Sequence, residues 1–247
     1  MFITQHIMKK ILYSIVLILF VLNVSAQENP DTKKKKIDLS GRSNDHFMIQ
    51  LGYAGWNGKP DSINPKGLSR TFNFYFLFDF PFKTNPHFSA AIGAGIGSNH
   101  IFFEGTYVGI KDKTPTFNFS DRSDTTHFKK TKLVTAWLEA PVELRYTANP
   151  LNSGKSFKAA IGLKVGTLLN AHTRSKDLQN KDGQTINSYV QKESSKNFFN
   201  TNHLVFTARA GYGHLTLFYT YQLGPLFKNG TAAEIKPYTI GLTLSGL

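Results

Sequence analysis

The chain has 247 residues, 40% of them hydrophobic and 13% aromatic, a formal charge of +13 and no cysteine. The missing cysteine excludes a disulfide framework and lipid attachment at a lipobox. The average composition is slightly hydrophilic, so any membrane residence past the N-terminus has to come from alternating strands and not from apolar helices.

The first element is MFITQHIMKKILYSIVLILFVLNVSAQ. Lys9 and Lys10 precede an apolar core at Ile11–Leu22, and Val24-Ser25-Ala26 supplies small residues for cleavage, the pattern of a secretory signal peptide over residues 1–26. The apolar run is about 12 residues, short of the roughly 20 that a spanning helix needs. A mature chain of about 220 residues suits one domain. Residues 27–45 are polar and carry the run Lys33–Lys36. They read as a flexible periplasmic lead-in, whose counter-charge is anionic lipid and not nucleic acid.

The remainder, 46–247, reads as strands. The first covers His46–Ala54, with Phe47, Ile49, Leu51 and Tyr53 on one face. A loop rich in Asn-Gly and Asn-Pro follows. The second is Phe72–Phe82, FNFYFLFDFPF. Phe72, Phe74, Phe76, Phe78, Phe80 and Phe82 share one parity, and Asn73, Tyr75, Leu77, Asp79 and Pro81 share the other. A period of two is an extended strand. Its length fits the roughly 9–11 residues of a tilted strand crossing a bilayer.

Six further strands follow at His87–Gly97, Lys132–Tyr146, Phe157–Leu169, Leu204–Tyr212, Leu215–Leu223 and Pro237–Leu244. The segments 103–131 and 171–202 read as long polar loops, with an alternation at Thr116–Ser120 that suits a hairpin outside the membrane. Pro141 lacks a ladder donor, so a bulge or a pairing gap is expected there. Connections alternate between long and short. With the N-terminus in the periplasm, the long ones fall outside.

One parity is built from Phe, Leu, Ile, Val, Tyr and Ala, with Thr167 as its polar exception and Lys132 as its only charge. The other carries Asp79, Glu139, Glu143, Arg145, Lys158, Lys164 and Arg209, together with Gly52, Gly93, Gly95, Gly97, Gly162, Gly166, Gly211 and Gly241. A ring of eight strands has room inside for little more than side chains. The phenyl column would overfill it, so the apolar parity faces lipid and the seven charges line the lumen. The fold expected is an all-β, eight-stranded antiparallel up-and-down transmembrane barrel. Glu139, Glu143 and Arg145 are expected to pair with Lys158 and Lys164 on the next strand and to plug the pore. The competing architectures are a periplasmic lipocalin-like barrel and a two-sheet sandwich. Trp56, Tyr53, Trp137, Tyr146, Tyr212, Tyr219, Tyr221 and Tyr238 lie near strand ends, where interfacial aromatic girdles belong.

Four short stretches resemble an eight-stranded outer-membrane barrel family of Bacteroidota, related in architecture to OmpA/OmpX-type barrels. They are Val24–Gln27, Ala90–Gly97, Leu138–Tyr146 (similar to an LEIPL-type strand) and Tyr238–Leu244. The last residue, Leu247, departs from the aromatic that ends many proteobacterial barrels. The resemblance implies a location in the outer membrane more than an activity.

Enzyme chemistry has raw material only in His100, His127, His172 and His203 with Ser98, Ser120, Ser123 and Glu104. No spacing enforces a nucleophile, base and orienting group, and phosphate-loop, zinc and dinucleotide motifs are absent, so neither catalytic residues nor a cofactor or metal is expected. The role expected is structural or surface contact through long external loops. The alternatives are a narrow channel, a component of an envelope or secretion complex, and a lipid A-modifying enzyme. Expected partners are outer-membrane lipid, lipopolysaccharide and other envelope proteins, with the chain itself a monomer.

Overall fold

A computed structural model describes residues 46–60, 63 and 65–246. The signal peptide and lead-in expected over 1–45 lie outside the described residues. The elements are β1 (Phe47–Asn57), β2 (Arg70–Pro81), β3 (Phe88–Phe103), β4 (Thr106–Val108), β5 (Phe119–Asp121), β6 (His127–Thr147), a 3-10 turn (Pro150–Lys155), β7 (Phe157–Gln179), β8 (Thr185–Ser194), β9 (Asn202–Tyr212), β10 (Leu215–Gln222) and β11 (Lys236–Ser245).

Eight strands close a ring of antiparallel pairs in the order β1, β2, β3, β6, β7, β9, β10, β11 and back to β1. No sheet edge is left in that ring, which removes the unpaired donors and acceptors that hydrocarbon cannot satisfy. β8 pairs only with the far half of β7, and β4 pairs with β5 in a separate small sheet. Short connections collect at one end of the barrel, and Gly213-His214 joins β9 to β10 in two residues with Gly213 at φ +60°.

Parity sorts the side chains as the pleat requires. The six phenyl groups from Phe72 to Phe82 are 36–56% exposed on the outer face, whereas Asn73, Tyr75 and Leu77 are buried inside. On β1 and β11, Gly52 stands opposite Gly241, where a Cβ on either would lie within 2.3 Å of the partner backbone. The glycines of the inner face are therefore what lets the strands approach closely around a narrow barrel.

Four sequence expectations need correction. Trp56 and Trp137 are not girdle residues. Both sit on the inward parity and are buried, because a girdle requires the outward face as well as the right height. The second is that β3, β6 and β7 run well past the expected ends, into segments read as loops, and β8 lies wholly inside one. Lys132 at the expected start of a strand, and His172 and Arg174 beyond another, are polar on the outer face but still in ladder register.

The third is the alternation along β7, which a bulge away from Pro141 interrupts. The β6–β7 register shifts between Ala136 and Trp137, which leaves Leu169 as the extra residue. That single insertion reverses the parity. Leu168 is buried before it, and Ala171 and Thr173 are buried after it, so an alternation counted from Phe157 goes out of phase. Pro141 itself keeps register with Lys164 on β7, while the ladder to β3 skips Ala140 and Pro141. The proline is accommodated as a pairing gap, one of the two outcomes expected. The fourth is lumen content. Besides charges and glycines, the inside holds Met48, Tyr75, Leu77, Trp137 and Phe218, all at most 1% exposed.

Candidate functional site

The lumen is filled in two polar tiers. In the first, Glu139 of β6 is the hub. Lys164 Nζ on β7 lies 3.0 Å from Glu139 Oε2, and His203 Nε2 on β9 lies 3.0 Å from Oε1. The Tyr75 hydroxyl donates to Oε2 and receives a hydrogen bond of 2.9 Å from Lys164 Nζ. The His203 ring stacks on Trp137 with centroids 3.8 Å apart, and its Nδ1 faces Gln222 Oε1 at 3.3 Å.

Four residues along β6, and so one tier nearer the short turns, Glu143 is the second hub. Its Oε2 accepts from Arg145 Nε at 2.9 Å and from Arg209 Nη2 at 3.0 Å. Arg145 also reaches Asp79 of β2 at 3.5 Å. An amide chain braces the opposite wall. Asn73 donates to Gln50 at 3.0 Å, and Gln50 donates to Thr243 at 3.1 Å.

The structure brings Asp79, Glu139, Glu143, Arg145, Lys164 and Arg209 together in the lumen, only in part in the pairs expected. Glu139 does take Lys164. The partners of Glu143 are instead Arg145 on its own strand and Arg209 across the lumen, because side chains in so narrow a barrel meet through the centre as easily as along the wall. Lys158 is buried beside Thr147 and Gly211 at the short-turn end. The strand pattern missed Tyr75 and His203. Both stand on the inward parity, which is the signal that could have found them. Cavities of about 20 Å³ beside Glu139 and about 10 Å³ beside Trp56 hold one water or none.

At the long-loop end the barrel is closed by an apolar cap that the sequence reading did not foresee. Phe117 stacks on Phe198 at 5.0 Å and lies 5.1 Å from Phe227, which touches Phe199 at 5.1 Å and Trp56 at 6.1 Å. Ile110, Leu226 and Ile235 complete it. Apart from Trp56 on β1, these residues come from three segments whose overall polarity hides one or two aromatic anchors each. Beside this cap, with Val108 common to both, β4, β6 and the β7–β8 hairpin enclose a cleft of about 340 Å³ with Tyr107, Arg122, His127, Ser175, Gln191 and Glu193 on its walls. Arg122 stacks on the Tyr107 ring at 4.6 Å. The hydrogen bond from Tyr107 to Asp112 pushes its phenol up to about 12.

The candidate catalytic groups are scattered. Ser98 Oγ and His100 Nε2 are 3.0 Å apart on the outer face of β3, but among the described residues no carboxylate orients that ring. His203 is buried in the lumen, on β9 just before the strand start expected at Leu204. His127 hydrogen-bonds the Thr125 carbonyl, and Ser123 donates to Asp121. No cluster able to hold a metal ion occurs among the described residues.

A closed ring with an aliphatic and aromatic exterior and a paired ionic interior agrees with the comparison against known families. The family model described as outer membrane protein beta-barrel domain matches residues 26–228. The chain belongs to this outer-membrane barrel family. It therefore resides in the outer membrane, crossing it with strands. Among solved structures it is similar to Ail, the attachment invasion locus protein of Yersinia pestis, in complex with the heparin analogue sucrose octasulfate, at 14% identity and a TM-score of 0.34 over 81% of this chain and 95% of that one. A second structure of Yersinia pestis Ail gives 12% identity and a TM-score of 0.34 over 82% and 97%. No curated protein sequence matches.

With hydrocarbon outside, Phe76→Arg places a charge near the middle of the column. It is expected to cost about 2–4 kcal/mol, against about 0–1 for Phe82→Arg near the interface. Equilibrium unfolding in lipid bilayers reads both values, and equal costs would refute the depth assignment.

Proposed function

We propose that the protein is a sealed outer-membrane barrel of the Bacteroidota type, monomeric and without catalytic activity, that works by contact at its long-loop end. In this reading the short turns and the N-terminus lie in the periplasm. The cap, the cleft and the β7–β8 hairpin lie outside, in reach of lipopolysaccharide and of other envelope proteins. The observation that carries it is the double closure. Two tiers of buried ion pairs fill the lumen, and an aromatic cap covers the mouth. Chemistry that needs passage has no path, while β8 pairs with the far half of β7 and the cleft opens beside the cap, with Val108 on its wall. Ion pairs that bind across the lumen lock the register, the role that suits buried charge best.

Planar-bilayer recording tests the closure. The purified protein is expected to give no stable conductance steps, and ohmic steps would favour the narrow channel. Trypsin added to intact cells tests the orientation. Cleavage at Lys181 in the β7–β8 turn is expected, whereas protection there with cutting at the short turns of intact cells would reverse it.

A further inference from the structure

A second charged assembly lies on the outer face. Arg70 of β2 stands directly opposite His100 of β3. Lys132 of β6 stands opposite Arg174 of β7, which in turn stands opposite Lys192 of β8. His172 joins them two residues before Arg174 on the same face, and burial together with Lys192, Lys132 and Arg174 holds its imidazole below the ordinary value. One step further out, Lys130 is opposite Lys176. Like charges set directly across a ladder destabilise it. Among the described residues none of Arg70, Lys132, Arg174 and Lys192 has a carboxylate at ion-pair distance, because the ion pairs found there belong to the lumen. Four of the five neighbouring strands β2, β3, β6, β7 and β8 thus present cations with no carboxylate at ion-pair distance among the described residues.

Their height is as informative as their sign. Arg70 is the next outward position after Phe72, and His100 follows Ile96 and Ser98 on the same face. Leu138 and Val165, exposed and apolar, lie below Lys132 and His172 on β6 and β7. The patch begins where the hydrocarbon-facing band stops. Arginine guanidinium groups match phosphate oxygens in two-pronged fashion, and lysines add point charge. Acyl chains of a ligand placed there would run down over Phe72 and Ile96.

We propose that Arg70, His100, Lys132, His172, Arg174 and Lys192 form a binding site for the phosphate groups of outer-leaflet glycolipid. The site rests on the orientation adopted above, with the long-loop end outward. Phosphate supplies the missing counter-charge, and the phenyl column supplies the packing surface for its lipid.

The test uses the folded mature protein in nanodiscs of zwitterionic phospholipid, titrated with bisphosphorylated lipid A and with the same lipid stripped of phosphate. The phosphorylated form is expected to bind at least tenfold more tightly, with an affinity that falls as salt rises. The triple variant Lys132→Gln, Arg174→Gln, Lys192→Gln is expected to abolish the preference. Lys181→Gln with Lys228→Gln, a loss of two positive charges elsewhere, is expected to retain it. Should the triple variant fail to fold, the wild-type comparison of the two lipids decides alone. Equal binding of both lipids, or a preference retained by a folded triple variant, overturns the proposal. Complete displacement of the lipid by millimolar inorganic phosphate overturns the lipid assignment in favour of a free-anion site. The trypsin experiment reads orientation separately, so a failed preference in a correctly oriented protein counts against this site alone.

Discussion

Glu143→Ala is expected to destabilise the folded barrel by about 3–5 kcal/mol, the usual cost of removing one partner from a buried ionic set. Glu143 is 3% exposed and its Oε2 is shared by Arg145 and Arg209. The substitution takes that acceptor from two guanidinium groups that water cannot easily reach. Arg145 keeps its longer contact to Asp79 at 3.5 Å, which offsets part of the loss. A control separates charge from volume. Glu143→Leu combined with Arg209→Leu removes a cation with the anion and is expected to cost less than Glu143→Ala alone, since a buried ion pair replaced by apolar groups is often close to neutral. Denaturant titration of refolded protein in bilayers measures both. A single variant as stable as the wild type would mean that the second tier is not closed to water.

Phe227→Ala is expected to release the cap while leaving the barrel intact. Phe227 is 1% exposed and touches Trp56, Phe117, Phe119 and Phe199. Truncation of a buried phenylalanine costs about 3–5 kcal/mol. Here the cost falls on the loops it joins. Hydrogen exchange reports it locally. The amides of Phe117, Lys228 and Leu226, which donate to Thr231, Phe198 and Ile235, are expected to exchange at least about a hundredfold faster, given tenfold per 1.4 kcal/mol. Amides in β1, β2 and β11 are expected to be unchanged. Uniform acceleration across the ring would show that cap and barrel unfold together, and no acceleration would show that the cap is not held by these rings.

The ring itself was legible because hydrocarbon and a narrow lumen impose opposite demands on alternate residues. Strands such as Phe72–Phe82 and Leu215–Leu223 satisfy both without interruption. Legibility failed where one of those demands lapsed. Beyond the bilayer, β6 and β7 run through Lys130, Lys132, Arg174 and Lys176 with no apolar outer face to mark them. Leu169 then breaks the phase of the alternation. The cap was hidden because Phe117, Phe198 and Phe227 are isolated aromatics in polar segments, and only the closed ring brings them together. In the lumen, inward parity identified which charges are buried. Their pairing depends on distances across the barrel, which no strand order conveys, and for that reason Glu143 binds Arg209 and not a lysine on the neighbouring strand.

The account depends on one face of each strand meeting lipid and the other meeting protein. Because the chain has no native cysteine, single cysteines at Leu217 and Tyr219, and at Thr216 and Thr220, can carry a nitroxide without background. Electron paramagnetic resonance in bilayers then compares collision with oxygen, which concentrates in hydrocarbon, against collision with a water-soluble nickel chelate. The account predicts high oxygen access at 217 and 219, low access to both reagents at 216 and 220, and so a period of two. High oxygen access at 216 and 220, or no alternation at all, would contradict it.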